Sequence, residues 1–168
     1  MRILIVIDSL GSGGAQRIAA YLAKGLVKKG YIVEVFVYNT NYNFFESDFK
    51  KLGIRIHSVK RSSNNKIFFG LKIISSLRSI ITKYNSIISF MHMPSVYASI
   101  SKLGIKKGRL IVFELSSSNA PVSHYKKILF YLSCLLSNLV ITNSVTETNL
   151  MKKKIGLKNK TLTIWNGY

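Results

Sequence analysis

Met1-Arg2-Ile3-Leu4-Ile5-Val6-Ile7-Asp8-Ser9-Leu10-Gly11-Ser12-Gly13-Gly14-Ala15-Gln16-Arg17 opens the chain, and the reading of this stretch decides the fold. A basic start before an apolar run has the look of a secretory leader. The run Ile3 to Ile7 stops at Asp8, however, short of the ~7 apolar residues a leader needs, and no small-residue cleavage site follows. It suits instead a short strand buried on both faces of a parallel sheet. Asp8 to Gly14 then forms a glycine-rich loop, and Ala15, Ile18, Ala19, Leu22 and Leu26 fall on one face of a helix. Lys28 and Lys29 complement the C-terminal end of that helix's dipole, and Gly30 stands where a left-handed cap would end it.

The alternation continues outward from this unit. Ile32 to Tyr38 reads as a second strand, Phe44 to Lys51 as a short polar helix, and Ile54 to Val59 as a third strand. After the polar loop Arg61 to Lys66, the residues Ile67, Leu71, Ile74, Leu77 and Ile81 mark the apolar positions of a long amphipathic helix. Ile87 to Met91 is a fourth strand, and Pro94 suits the first turn of a helix ending at Gly104. Leu110 to Phe113 is a fifth strand. Pro121 opens a helix with Val122, Tyr125, Leu129, Leu132 and Leu136 as apolar positions, Leu139 to Thr142 is a sixth strand, and Ser144 with Glu147 forms a capping box for a helix closed by Gly156. Leu162 to Trp165 is a seventh strand before an Asn166-Gly167 turn. Strands and helices in this order predict one α/β domain, Rossmann-like and doubly wound, with a mainly parallel sheet of about seven strands.

Composition agrees with a single core. The chain has 168 residues, 48% of them hydrophobic and 18% charged, which excludes a disordered tail. Its longest apolar-rich stretch, Ile128 to Ile141, is interrupted by Ser133, Ser137 and Asn138 and is shorter than the ~18 residues of a spanning helix. One cysteine, Cys134, excludes an internal disulfide framework or a multi-Cys zinc site and points to a reducing compartment, hence a cytoplasmic location; it reads as a core residue.

Twenty-five Lys and Arg against six Asp and Glu give a net charge of +19, which suggests contact with phosphate in some form. The basic pairs, among them Lys28-Lys29, Lys60-Arg61 and Lys126-Lys127, are scattered, Lys outnumbers Arg, and no nucleic-acid recognition motif is present, so no nucleic-acid partner is expected. Two readings are left: a Lys-rich composition without function, or docking on an anionic membrane surface. For the second, Lys126-Lys127 followed by Phe130, Tyr131 and Leu132 suits a helix lying in the lipid interface.

In a doubly wound sheet, ligands bind at the C-terminal ends of the strands. The first such end is the loop holding Gly11, Gly13 and Gly14, where glycine lets backbone approach a ligand and the helix behind presents free N–H groups to an anion. The dinucleotide fingerprint fails: Gln16 holds its third glycine position, and Glu34 lies inside the second strand rather than at its end. A P-loop is excluded by the lack of Gly-Lys-Ser/Thr. The loop is then either an anion site or a tight turn without a ligand.

Gly13-Gly14-Ala15-Gln16-Arg17 after a first strand, followed by Gly30 and Val33-Glu34-Val35, resembles the bacterial retaining glycosyltransferases of the GT-B fold. Ile87-Ile88-Ser89-Phe90, Phe113-Glu114, Asn143-Ser144 and Ile164-Trp165-Asn166-Gly167 resemble further segments of that family, in the same order along the whole chain. The resemblance implies transfer of a sugar from a nucleotide-sugar donor, with no metal or other cofactor required, to a glycan or polyprenyl-diphosphate-linked acceptor. It places Gly13, Gly14, Gln16 and Arg17 beside the donor diphosphate and Glu114 as a catalytic residue near the acceptor hydroxyl; His92, at the end of the fourth strand, is the second catalytic candidate. Read from the residues alone, Arg17 is either a phosphate contact or a solvated charge, Glu114 a cleft carboxylate or an exposed loop acid, and His92 an acceptor contact or a structural residue. His57 and His124 have no acidic sequence neighbour and read as surface residues.

The resemblance also implies that residues 1–168 are the N-terminal, acceptor-side domain, and that a second, donor-binding domain with a paired-Glu motif is absent. The chain alone is then expected to be inactive, as a truncated product, an isolated domain or one subunit of a split enzyme with a donor-binding partner. The alternatives are a membrane-associated, non-catalytic subunit that recruits such a partner, and a nucleotide-binding oxidoreductase-like domain, which the broken fingerprint disfavours.

Overall fold

The computed structural model describes residues 1–61, 65–115, 123–157 and 160–165. Thirteen elements alternate along them: β1 (Arg2–Val6), α1 (Gly14–Lys28), β2 (Ile32–Val37), α2 (Glu46–Lys51), β3 (Arg55–Ser58), α3 (Lys66–Ile81), β4 (Ser86–Phe90), α4 (His92–Lys102), β5 (Arg109–Glu114), α5 (His124–Leu136), β6 (Leu139–Thr142), α6 (Val145–Ile155) and β7 (Thr161–Thr163). The strands form one sheet in the order β3-β2-β1-β4-β5-β6-β7, every pair parallel, as the alternation predicts.

The sheet has a core on each face because the central strands are apolar in both directions. Ile3, Ile5 and Ile7 of the first strand and its extension, with Val33, Val35 and Val37, pack against α1 and α2. Leu4, Val6, Phe36, Ile87, Leu110 and Val112 pack on the other side against α3, α4 and α5. Gly30 and Gly156 both take positive φ at helix ends, the left-handed caps read from the sequence. Ser144 Oγ accepts from Glu147 N at 3.1 Å, which confirms its part of the capping box. Pro121, Val122 and the Asn166-Gly167 turn lie outside the described residues.

One helix turns a different face inward from the one its spacing marks, and another does so only in its first turns, since Leu77 and Ile81 of α3 are buried as read from the sequence. In α3 the buried stripe is Ile73, Leu77 and Ile81, while Ile67 and Leu71 are exposed. In α5 the core side is Phe130, Ser133 and Cys134, and Tyr125, Leu129, Leu132 and Leu136 all face outward. Both helices carry apolar residues on more than one face, so periodicity cannot select between them. Ser133 is tolerated inside because its hydroxyl donates to Phe130 O at 2.7 Å. Phe130, read above as a lipid-facing residue, is therefore a core residue.

Glu34 and His57 are a second correction. Glu34 is buried at mid-strand, where one oxygen accepts from Arg2 at 2.6 Å and the other meets His57 at 2.6 Å and the Tyr84 hydroxyl at 2.8 Å. His57 is thus a partner of a buried acid rather than an isolated surface residue. Burial opposes ionisation of Glu34, but the bonds from His57, Tyr84 and Arg2 outweigh it and hold the carboxyl below its ordinary range.

Candidate functional site

β1 and β4 are neighbours in the sheet, yet the chain leaves β1 toward one face, through α1, and leaves β4 toward the other, through α4. Such a reversal opens a crevice at the C-terminal strand ends. A cavity of about 400 Å³ lies there. Asp8 enters it from the end of β1, Gly14, Ala15 and Gln16 from the first turn of α1, Tyr38 from the end of β2, and Met91, His92, Met93 and Pro94 from the start of α4.

Two helix N-termini therefore converge on one space. Neither α1 nor α4 has an acidic residue in its first turn, and neither cap residue, Gly13 or Met91, supplies a side-chain bond to the first N–H groups. Asn65 and Ser144 do supply such bonds to α3 and α6. Uncapped N-termini leave donors and positive dipole ends turned toward the cavity, an arrangement suited to an anion.

The glycines divide their duties. A Cβ added to Gly13 would collide with Gln16 Oε1, so Gly13 makes room for that side chain. A Cβ on Gly14 would meet nothing within 4 Å. Packing within the chain thus gives no reason for glycine at position 14, whereas a ligand lying against the loop would.

Gln16 is held in place: its Nε2 donates to Asp8 Oδ1 at 3.0 Å, and the same oxygen accepts from Ser9 N at 2.8 Å. Asp8 was not among the residues the sequence singled out, although it ends the first strand immediately before the glycine loop and is one of only six acids. Tyr38 was not singled out either. Burial, then the Asp8 charge and Tyr97, push its phenol above the ordinary range, and its ring meets Tyr97 edge-on at 5.3 Å.

Of the residues read from the sequence, Gly14, Gln16 and His92 line the cavity, Gly13 borders it as the cap of α1, and Arg17 is exposed outside it. Glu114 stands behind His92. It closes β5 and is only 1% exposed, which excludes the exposed loop acid. Its Oε2 is 3.5 Å from His92 Nε2, long for a hydrogen bond. The His92 ring packs edge-on against Phe130 at 4.5 Å, and burial, followed by the Lys127 charge, lowers its pKa from the ordinary value. A neutral imidazole thus faces the cavity with a carboxyl at its back.

Met91, which joins β4 to α4, has φ 71° and ψ 179°, a conformation natural to glycine. Its N–H donates to Phe113 O at 2.9 Å, and its carbonyl accepts from Ser95 Oγ at 2.6 Å. These bonds fix the turn that delivers His92.

Residues 12–168 match the profile of Glycosyltransferase Family 4. No curated protein matches the chain. Among solved structures, Anabaena HepE, crystallised with UDP, aligns with TM-score 0.76 and 17% identity over 100% of this chain and 44% of its own. A glycosyltransferase from Rickettsia africae aligns with TM-score 0.73 and 16% identity over 99% and 43% of the two chains. A UDP-GlcNAc 2-epimerase from Methanocaldococcus jannaschii aligns with TM-score 0.75 and 12% identity over 98% and 45%. This chain spans less than half the length of each. At these identities the likeness establishes the fold, which proteins of different reactions share.

Proposed function

The chain belongs to glycosyltransferase family 4, and from that premise we propose that it is the acceptor-side domain of an enzyme that moves a sugar from a nucleotide-sugar donor. The acceptor is a glycan or a polyprenyl-diphosphate-linked sugar, in cell-surface polysaccharide assembly at the inner face of a membrane. Most donor contacts come from a second domain, and residues 1–168 alone transfer no sugar at a meaningful rate.

The observation that carries this reading is the open side of Gly14, between two uncapped helix N-termini at the switch point of the sheet. The donor diphosphate lies against Gly13 and Gly14, where the first N–H groups of α1 stabilise the negative charge that develops as the sugar–phosphate bond breaks. Gln16, tied to Asp8, holds the loop in shape. His92 touches the acceptor and orients its hydroxyl, and Glu114 acts as a positioning residue through the imidazole. Arg17, outside the cavity, reaches the diphosphate only if the donor extends past the first turn of α1.

The test is sugar transfer by the protein encoded by the whole reading frame, with and without Gly14→Val. A Cβ at position 14 meets no atom of the chain within 4 Å, so the fold should be kept while kcat/KM falls at least hundredfold. Unchanged transfer by a folded Gly14→Val protein would overturn the assignment.

A further inference from the structure

A helix in a globular protein ordinarily buries one stripe and shows polar residues outside. α5 does not. Tyr125, Ile128, Leu129, Leu132, Leu135 and Leu136 are all exposed, between 38% and 61%, on the side away from the core residues Phe130 and Cys134. The first turns of α3 do likewise with Ile67 at 75%, Phe68 at 66% and Leu71 at 57%. Both helices flank α4: a Cβ added to Gly70 of α3 would lie 3.6 Å from the Tyr97 ring of α4, and Tyr125 of α5 is close enough to Tyr97 to raise its pKa from the ordinary value, second to burial. The two apolar patches therefore belong to one helical layer, with their N-terminal ends toward the cavity edge.

The exposed charge around this layer has one sign. The sequence has no Asp or Glu between Asp48 and Glu114, nor between Glu114 and Glu147, and both Glu114 and Glu147, the latter in α6 on the same face, are buried. α3 and α5 bring Lys66, Lys72, Lys126 and Lys127, and Lys60 precedes them. On the opposite face of the sheet, α2 carries Glu46 and Asp48 among its lysines. An apolar surface within a layer whose exposed charges are basic has the chemistry of a surface that enters an anionic lipid interface: apolar side chains go among the acyl chains and ammonium groups meet the headgroups.

We propose that the exposed faces of α5 and of the start of α3 form a docking surface for an anionic lipid bilayer, orienting the cavity toward the membrane. This deepens the reading above by saying how a lipid-linked acceptor reaches His92, but it stands on the surface itself, and binding to vesicles requires no transfer activity. It also replaces the sequence-derived choice of Phe130 with the outward stripe that runs from Tyr125 to Leu136.

The test is flotation of the chain with phosphatidylglycerol-containing vesicles and with pure phosphatidylcholine vesicles, at low and high salt. Wild type should float with the anionic vesicles and be released by salt. The triple variant Ile128→Gln, Leu132→Gln, Leu136→Gln should bind at least tenfold more weakly, as should the pair Phe68→Gln, Leu71→Gln. Lys66→Gln with Lys126→Gln should weaken binding about fivefold per lysine. Tyr21→Gln, at an equally exposed residue of α1 on the other face, should bind as wild type. No flotation at low salt, or equal flotation of all variants, overturns the proposal. So does a dimer, seen by light scattering, that the α5 variant dissolves while no form floats, since the face would then be an interface between copies of the chain.

Discussion

Two buried carboxylates divide the molecule. Glu34 sits toward the N-terminal side of the sheet, 6% exposed, with Arg2, His57 and Tyr84 converging on its two oxygens within 2.8 Å. Glu114 sits at the C-terminal end of β5, 1% exposed, and faces His92 across 3.5 Å at the rear of the cavity. The first is surrounded by short bonds from three other elements of its own chain, and the second stands one side chain away from open space. A buried charge held by short, convergent bonds contributes to the stability of the fold. A buried carboxyl placed behind a cavity-facing imidazole is arranged to hold that imidazole in position. Removing each acid should therefore damage a different property.

The largest effect is expected at the closed end. Glu34→Leu leaves the buried Tyr84 hydroxyl and the part-buried His57 ring with only their own 3.3 Å contact in place of the carboxylate, at about 1–3 kcal/mol each. Arg2 is half-exposed and turns to water, so its share is small. A loss of about 3 kcal/mol in urea unfolding is expected, with nucleotide and vesicle binding by the remaining folded protein unchanged. A stable Glu34→Leu protein with a damaged cavity would mean that the two ends are not separate.

Next is Glu114→Gln, in the protein encoded by the whole reading frame. The amide keeps the shape, so stability should stay within about 1 kcal/mol while kcat/KM falls roughly tenfold. His92 already titrates below its ordinary range, and loss of the carboxylate should carry the acid limb of the pH–kcat/KM profile further down. A rate loss with no movement of that limb would leave Glu114 a purely structural acid.

Stability against pH also separates the two ends. The folded pKa of Glu34 is depressed, so its contribution is complete above the unfolded value near ~4.3 and is lost as pH falls through the folded value. The folded pKa of His92 is depressed too. For a base this means that the unfolded state takes up the proton first, so stability declines as pH falls from about 6.5 toward the folded value. Urea midpoints should show two limbs, the milder one removed by His92→Gln and the acid one by Glu34→Leu. A single limb unaffected by either variant would contradict both assignments.

These ends were unequally legible in the sequence. The parallel sheet could be read because its central strands are apolar runs between turn signals, and both the pattern and its interruptions are local. The glycine loop was legible for the same reason. The Glu34 network was not, because His57 and Tyr84 reach Glu34 from 23 and 50 residues away, and nothing near Glu34 in sequence announces them. Asp8 and Tyr38 escaped notice because the cavity is assembled from three separated segments, and only the strand order brings these together. In α5 the spacing identified a genuine apolar stripe but not the one that faces the core, and in α3 it found the core positions Leu77 and Ile81 but not that Ile67 and Leu71 face outward, since two stripes compete and the sheet decides.

The smallest expected effect concerns the turn between β4 and α4, and its sign is what matters. Met91 holds φ 71° and ψ 179°, a conformation that costs a side-chain-bearing residue on the order of 1–3 kcal/mol. Glycine adopts it freely, but Met91→Gly also loses the partial packing of the thioether against the core and adds freedom to the unfolded chain. The net expectation is a gain of about 1 kcal/mol in urea unfolding. The backbone bonds to Phe113 O and from Ser95 Oγ do not depend on the side chain, so α4 should still start at His92. What should be lost is the rigidity with which His92 is presented, read as a several-fold drop in kcat with stability raised. A Met91→Gly protein that is less stable than wild type would show that packing, not strain, governs this turn. The cavity end would then be held together in the same way as the end built around Glu34.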